Sequence, residues 1–160
     1  MNALDLIEAQ HLRILELGRE LMTAERPRRG LLARQLERVI EAHSEMEELL
    51  FYPVFHTASS HDALVQYAED HRQVRKLLVA LDHAGLDSPQ FHRHVGAVME
   101  AFEAHAYDEE EAKLLPLVER RLAIVQLHVL GSEMFALYSE LVAHPVEMNV
   151  ELESRRPALF

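Results

Sequence analysis

The chain has no cysteine and no tryptophan, and its 160 residues include only five glycines and six prolines. Without cysteine there are no disulfides, no thiolate nucleophile and no iron–sulfur ligation. So few breakers, falling mostly between long periodic segments, argue against a loop-rich β architecture and for an all-α protein. Positive charge is scarce too: 16 Lys and Arg stand against 27 Asp and Glu, for a net charge of −11. The only basic cluster is ERPRRG at residues 25–30. Neither nucleic acid nor an anionic membrane is therefore an expected partner. No apolar run is long enough to span a bilayer, and the opening MNALDLIEAQ lacks a basic-then-apolar signal pattern. The expected location is cytoplasmic.

Histidine is what the chain has in excess, with eleven copies. Periodicity places them. A first helix is expected over residues 3–24, with Leu4, Ile7, Ile14 and Leu21 on one face. ERPRRG reads as a turn, followed by a helix over 31–55 carrying Leu32, Leu36, Val39, Met46 and Leu50 inward. A third helix runs over 62–84 and ends at Gly85, the expected residue just past a helix end. Ser88 and Pro89 read as the cap and first residue of a fourth, which continues to about residue 120. Long helices with short links imply an up-down-up-down four-helix bundle. A break near 120–123 and a further helix to Ala143 add a C-terminal helix. The expected division is therefore a bundle over 1–120 and a helix plus tail over 121–160. In the tail, Val146, Met148, Val150 and Leu152 alternate with polar residues, which is a strand period. It reads as an extended segment over the bundle, or as one pairing with the same tail of a second subunit.

Certain polar residues sit on inward stripes that call for apolar ones. They are His11 on the first helix, His43 and Glu47 on the second, His71 on the third, and His105 and Glu109 on the fourth. Counted from the connecting turns, each histidine lies about 12 to 18 residues from a turn, so all four fall within about one helical turn of one level. In each His-x-x-x-Glu pair, residues i and i+4 share a face. Neutral imidazole and carboxylate together suit first-row transition metals. These donors fill fewer positions than two octahedral ions offer, which leaves room for a small ligand. With no sulfur and with carboxylates able to bridge, iron is the expected metal, two ions per chain, and manganese the next; zinc fits less well. EAHSEMEELLFYP at 41–53 also matches EAHAYDEEEAKLLP at 103–116, so one helix pair is used twice, and two ions suit that pseudo-symmetry. Tyr67, one turn before His71, is a candidate donor to a metal-bound ligand. Arg75 and Glu110 are further neighbours, Glu110 as a spare ligand. Glu8, Glu48, Glu110 and Glu111 read as belonging to solvated faces, with Glu110 able to swing in as that spare ligand.

The order His11, His43-x-x-x-Glu47, His71, His105-x-x-x-Glu109 resembles the hemerythrin-like HHE cation-binding family over about residues 5–117. The resemblance implies a four-helix bundle holding a non-haem, oxo- or hydroxo-bridged di-iron centre. In it, Glu47 and Glu109 would be the bridging carboxylates and the four histidines the terminal ligands. It further implies a protein that binds or reacts with a small oxidant (O2, hydrogen peroxide or nitric oxide). An iron or oxygen sensor without turnover is the alternative. Oxygen-carrying members have a second histidine one turn after the third-helix ligand, where this chain has Arg75; that difference favours redox chemistry over oxygen carriage. If the tail pairs two subunits, sedimentation should give a dimer, and a monomer would remove that idea.

Overall fold

The structure, a computed structural model, describes residues 1–144. The tail expected to be extended, with its suggested role in dimerisation, lies outside the described residues. Every regular element among the described residues is helical. In chain order they are α1 (Ala3–Thr23), α2 (Arg26–Met46), a π-helical segment (Glu47–Phe51), α3 (Tyr52–Phe55), α4 (His61–Ala84), α5 (Phe91–Glu103), a second π-helical segment (Ala104–Leu114), α6 (Leu115–Arg121) and α7 (Ile124–Ala143). Because α2, the first π segment and α3 follow without a gap, residues 26–55 form one long rod. Residues 91–121 form another in the same way. With α1 and α4 these make the four-helix bundle, and α7 is the additional C-terminal helix.

Local chemistry explains the ends. At α1 the Asn2 side chain accepts the N–H groups of Leu4 and Asp5 at 2.8 and 3.2 Å, while Asp5 accepts the N–H of Asn2 at 3.0 Å. Three otherwise orphaned donors are thereby satisfied. ERPRRG is not the turn the sequence suggested. Pro27 sits in the first turn of α2, where its missing N–H costs nothing, so the helix starts at Arg26. The fourth rod starts later than expected, at Phe91. Ser88 instead caps a turn, its Oγ accepting the N–H of Gln90 at 3.1 Å. Gly85 closes α4 at φ +80°, a conformation that disfavours other residues.

Among the described residues most of the core lies in two apolar clusters, with a small third around Ala42 and Leu141. One packs Ile14, Leu17, Leu21, Leu36, Ile40, Val74, Leu81, Val95 and Phe102. The other packs Ile7, Met46, Phe51, Tyr52, Phe55, Leu64, Leu115 and Val118 with Leu127, Leu130 and Met134 of α7. α7 thus packs against α1 and α2 and seals the second cluster. It does so at very close range: a Cβ on Gly131 would lie 2.7 Å from the backbone of Asn2 and Ala3. Gly131→Ala should therefore push α7 off α1, at a cost of about 1–3 kcal/mol. Thermal unfolding measures it; an unchanged midpoint would mean that α7 is not held that tightly.

Candidate metal centre

Between the two apolar clusters lies a polar layer. His11, His43, His71 and His105, one from each rod of the bundle, are at most 1% exposed, and Glu47 and Glu110 are fully buried with them. The rings of His11 and His43 are 5.0 Å apart, and those of His71 and His105 4.5 Å. Each carboxylate sits between two imidazoles from different helices. Glu47 Oε2 lies 3.3 Å from Nε2 of both His43 and His71. Glu110 Oε2 lies 3.1 Å from Nε2 of His11 and 3.5 Å from Nε2 of His105. Phe102 closes the layer against the first cluster, its ring 5.8 Å from His11 and 5.7 Å from His43.

The acid on the fourth rod is a correction to the sequence reading. Glu109 does not enter the layer: its side chain is 36% exposed and accepts from Lys113 Nζ at 2.7 Å. Glu110 takes the place instead, because His105 lies inside a π-helical segment. There the backbone bonds run from i to i+5, so the residue five positions on, not four, returns over the histidine. Up to Met46 the second rod is α-helical, so Glu47, four after His43, keeps the ordinary phase. The sequence did hold a signal. The second copy of the repeat is one residue longer than the first. Matched at their histidines, the copies pair Glu47 with Glu109; matched at Pro53 and Pro116, they pair Glu47 with Glu110.

A second ring of residues orients the first. Gln10 Oε1 accepts from His43 Nδ1 at 2.9 Å, and the Gln10 amide nitrogen faces the Met46 sulfur. Glu48 accepts from His71 Nδ1 at 2.9 Å and Glu111 from His11 Nδ1 at 2.8 Å. At His43 and His71, with Nδ1 holding the proton, Nε2 turns its lone pair to the centre; His11 also meets Glu110 through Nε2. So Glu48, Glu110 and Glu111 are not the solvated residues the sequence suggested. Glu48 and Glu111 each follow an inward glutamate, and the acidic doublets 47–48 and 110–111 were the available signal. Arg75 lies outside the ring, 3.3 Å from Glu48 and 3.6 Å from Glu45. Tyr67 is buried with its ring edge-on to His105 at 6.2 Å. The hydroxyl within the layer belongs to Tyr52, which the sequence reading passed over. It donates to Glu110 Oε1 at 2.6 Å and lies 3.3 Å from Glu47 and 3.4 Å from His71 Nε2. Tyr52 is five residues after Glu47, off its face in a regular helix; the π turn brings it round.

The electrostatics describe a site short of positive charge. Burial, then the nearby Glu110, pushes the Glu47 carboxyl well above its ordinary range. Burial acts on Glu110 in the same direction, but His105, His11 and His43 outweigh it and hold that carboxyl low. Of the two carboxylates, Glu47 is therefore the one biased towards its protonated form. Burial and then the charge of His11 press His43 well below its ordinary value, and burial and then His105 bring His71 down to about 4. Both rings are neutral near pH 7, the form that binds a metal. His43 Nε2, Glu47 Oε1 and both ring nitrogens of His105 are buried without a hydrogen-bond partner. Orphaned donor atoms converging on one layer fit a missing cation better than a finished core. Together with their neighbours, these residues form two groups, His43–Glu47–His71–His105 and His11–His43–Glu47–Glu110, in each of which one ligand atom per residue lies within 4.8 Å of the others.

The Hemerythrin HHE cation binding domain model matches residues 2–118 of the chain. Among solved structures, a hemerythrin HHE cation binding domain-containing protein from Mycobacterium kansasii is similar, with a TM-score of 0.78 and 26% identity. That match covers 99% of this chain and 96% of the other. The comparison with curated proteins gives no match. Equilibrium dialysis of the two neighbouring acids tests the site: Glu110→Gln should lose bound metal while Glu109→Gln retains it. Gln10→Ala, which removes only the acceptor on His43 Nδ1, should weaken binding by about 10–100-fold. The opposite order for the two glutamates would restore the unshifted reading.

Proposed function

Because the chain belongs to the hemerythrin HHE cation-binding domain family, we propose that it holds two non-haem iron ions and binds or reacts with a small oxidant (O2, peroxide or nitric oxide). The ligands are His11, His43, His71, His105, Glu47 and Glu110. The observation that carries this reading is the pair of overlapping donor groups, which share His43 and Glu47. The two groups would hold two adjacent cations, whereas one ion would leave outlying donors unused. Iron, when bound, supplies one-electron exchange between its ferrous and ferric states.

The chain's own residues set the conditions. Glu48, Glu111 and Gln10 hold three imidazoles in place. Arg75, 3.3 Å from Glu48, partly offsets that acid's charge beside His71. Tyr52 keeps a proton on its hydroxyl against Glu110 Oε1. Phe51, Phe102, Ile7 and Ile14, all at most 1% exposed, keep bulk water away. A second reading, a sensor that passes metal loading to a partner, draws on α7. That helix packs against α1, α2 and the π segment starting at Glu47, yet turns Val125, Val129 and Phe135 to solvent. A metal-dependent change in sedimentation, without turnover of peroxide, would favour it.

Anaerobic iron loading followed by metal analysis and optical spectroscopy should find two irons per chain; less than one would sink the proposal. A stability measurement gives an independent check. Glu47 is protonated more readily in the folded state than its ordinary value of 4.5 allows. A raised carboxyl pKa contributes stability below the unfolded value that is lost as pH rises towards the folded one. Metal-free Glu47→Gln should therefore unfold at a higher temperature than the metal-free native chain at pH 7. The gain should vanish below about pH 4.5, and the variant should bind metal poorly.

A further inference from the structure

A cleft of about 450 Å³ opens between α4 and the rod formed by α5 and its π segment. Its α4 wall is Gln66, Asp70 and Gln73; the facing wall carries Ala101, Ala104, Asp108 and Glu109, and His105 lies in its lining. The three acids step inward. Asp108 is exposed, the Glu109 side chain is 36% exposed, and that of Asp70 is 26% exposed. His105, at 1%, ends the series, and neither of its ring nitrogens has a hydrogen-bond partner. His105 also differs from the other three histidines. Their Nδ1 atoms are held at 2.8 to 2.9 Å by Glu111, Gln10 and Glu48. Its own Nδ1 stands 3.5 Å from Asp70 Oδ2, which is too far for a firm bond. His105 is therefore the one histidine of the layer that is both reached from the surface and loosely held.

We infer that this cleft is the path by which divalent metal cations reach the buried layer, with Asp108, Glu109 and Asp70 as successive oxygen contacts and His105 as the group that takes the ion inward. The inference rests on the metal-binding reading above. Carboxylates are the hard, weakly selective donors suited to passing an ion along, and a cleft lined by one sign of charge concentrates counter-ions at its mouth. Ala101 and Ala104 leave the opening wide enough, where larger side chains would fill it. Lys113 holds Glu109 at 2.7 Å and is 60% exposed, so an arriving dication competes with a mobile monovalent one.

The test follows cobalt(II) uptake into the metal-free full chain by its visible absorption in a stopped-flow instrument. In the Asp108→Asn/Glu109→Gln variant, uptake should slow about five- to tenfold at low ionic strength. The difference should shrink in high salt, and the final cobalt content should match the native chain. Ala104→Phe, at an exposed position that blocks the opening, should slow uptake at every ionic strength. Native uptake rates in both variants would overturn the cleft. So would a reduced final content in the first, because the acids would then be ligands rather than a path. Failure of the native chain to take up cobalt or iron at all would instead bring down the metal-binding reading itself.

Discussion

Two carboxylates and four imidazoles share a fully buried layer, and the rest of the structure is arranged around what that burial costs. Each ionised carboxylate taken from water costs several kcal/mol unless it is paired and hydrogen-bonded. The chain offers no buried lysine or arginine in the layer to offset them. It relies on imidazoles, and the same burial drives His43 and His71 to the neutral form. Burial works against the positive form of His11 as well, but the Glu110 and Glu111 carboxylates outweigh it and raise its pKa. The layer by itself is therefore frustrated: one carboxyl is biased towards its protonated form, and several donor atoms go without partners. Divalent cations would relieve that conflict. They would neutralise the carboxylates and use the neutral lone pairs. Burial that makes the site a poor core makes it a good ligand set.

Holding six polar side chains to one level takes structure on both sides. The apolar clusters above and below the layer fix the helices. The acceptors behind the histidines then fix the rings. Both glutamate-bearing rods turn π-helical at this height, which is where such turns often occur. A π turn widens the helix and shifts its phase, so that Glu110 and Tyr52 come in while Glu109 goes out. α7 adds a lid of leucine and methionine over the cluster that contains Tyr52. The layer is sealed there and more open towards α4 and α5, where His105 meets the cleft.

Much of this was legible in the linear pattern. A histidine on an apolar stripe, repeated on four helices at matching distances from the turns, can be read without coordinates, because the α-helix fixes which residues share a face. The same regularity caused the error at Glu109. Counting four residues from His105 assumes an unbroken α-helix, and the extra residue in the second repeat breaks that assumption. The acids following Glu47 and Glu110 were misread for a related reason. Their exposure depends on which neighbouring helix covers that flank, and no single-helix pattern carries that information.

The sequence by itself determined the helices, the four-rod bundle, the four inward histidines and Glu47. Those follow from local periodicity, which a chain expresses residue by residue. Tertiary structure alone decided that Glu110 rather than Glu109 faces the centre, that Tyr52 supplies the layer's hydroxyl, and that Gln10, Glu48 and Glu111 orient the rings. It also decided that His105 lies at the end of an acidic cleft. Each of these depends on a helix phase altered by π turns, or on the approach of a second helix. Such facts belong to the packing of the whole chain and not to any one stretch of it.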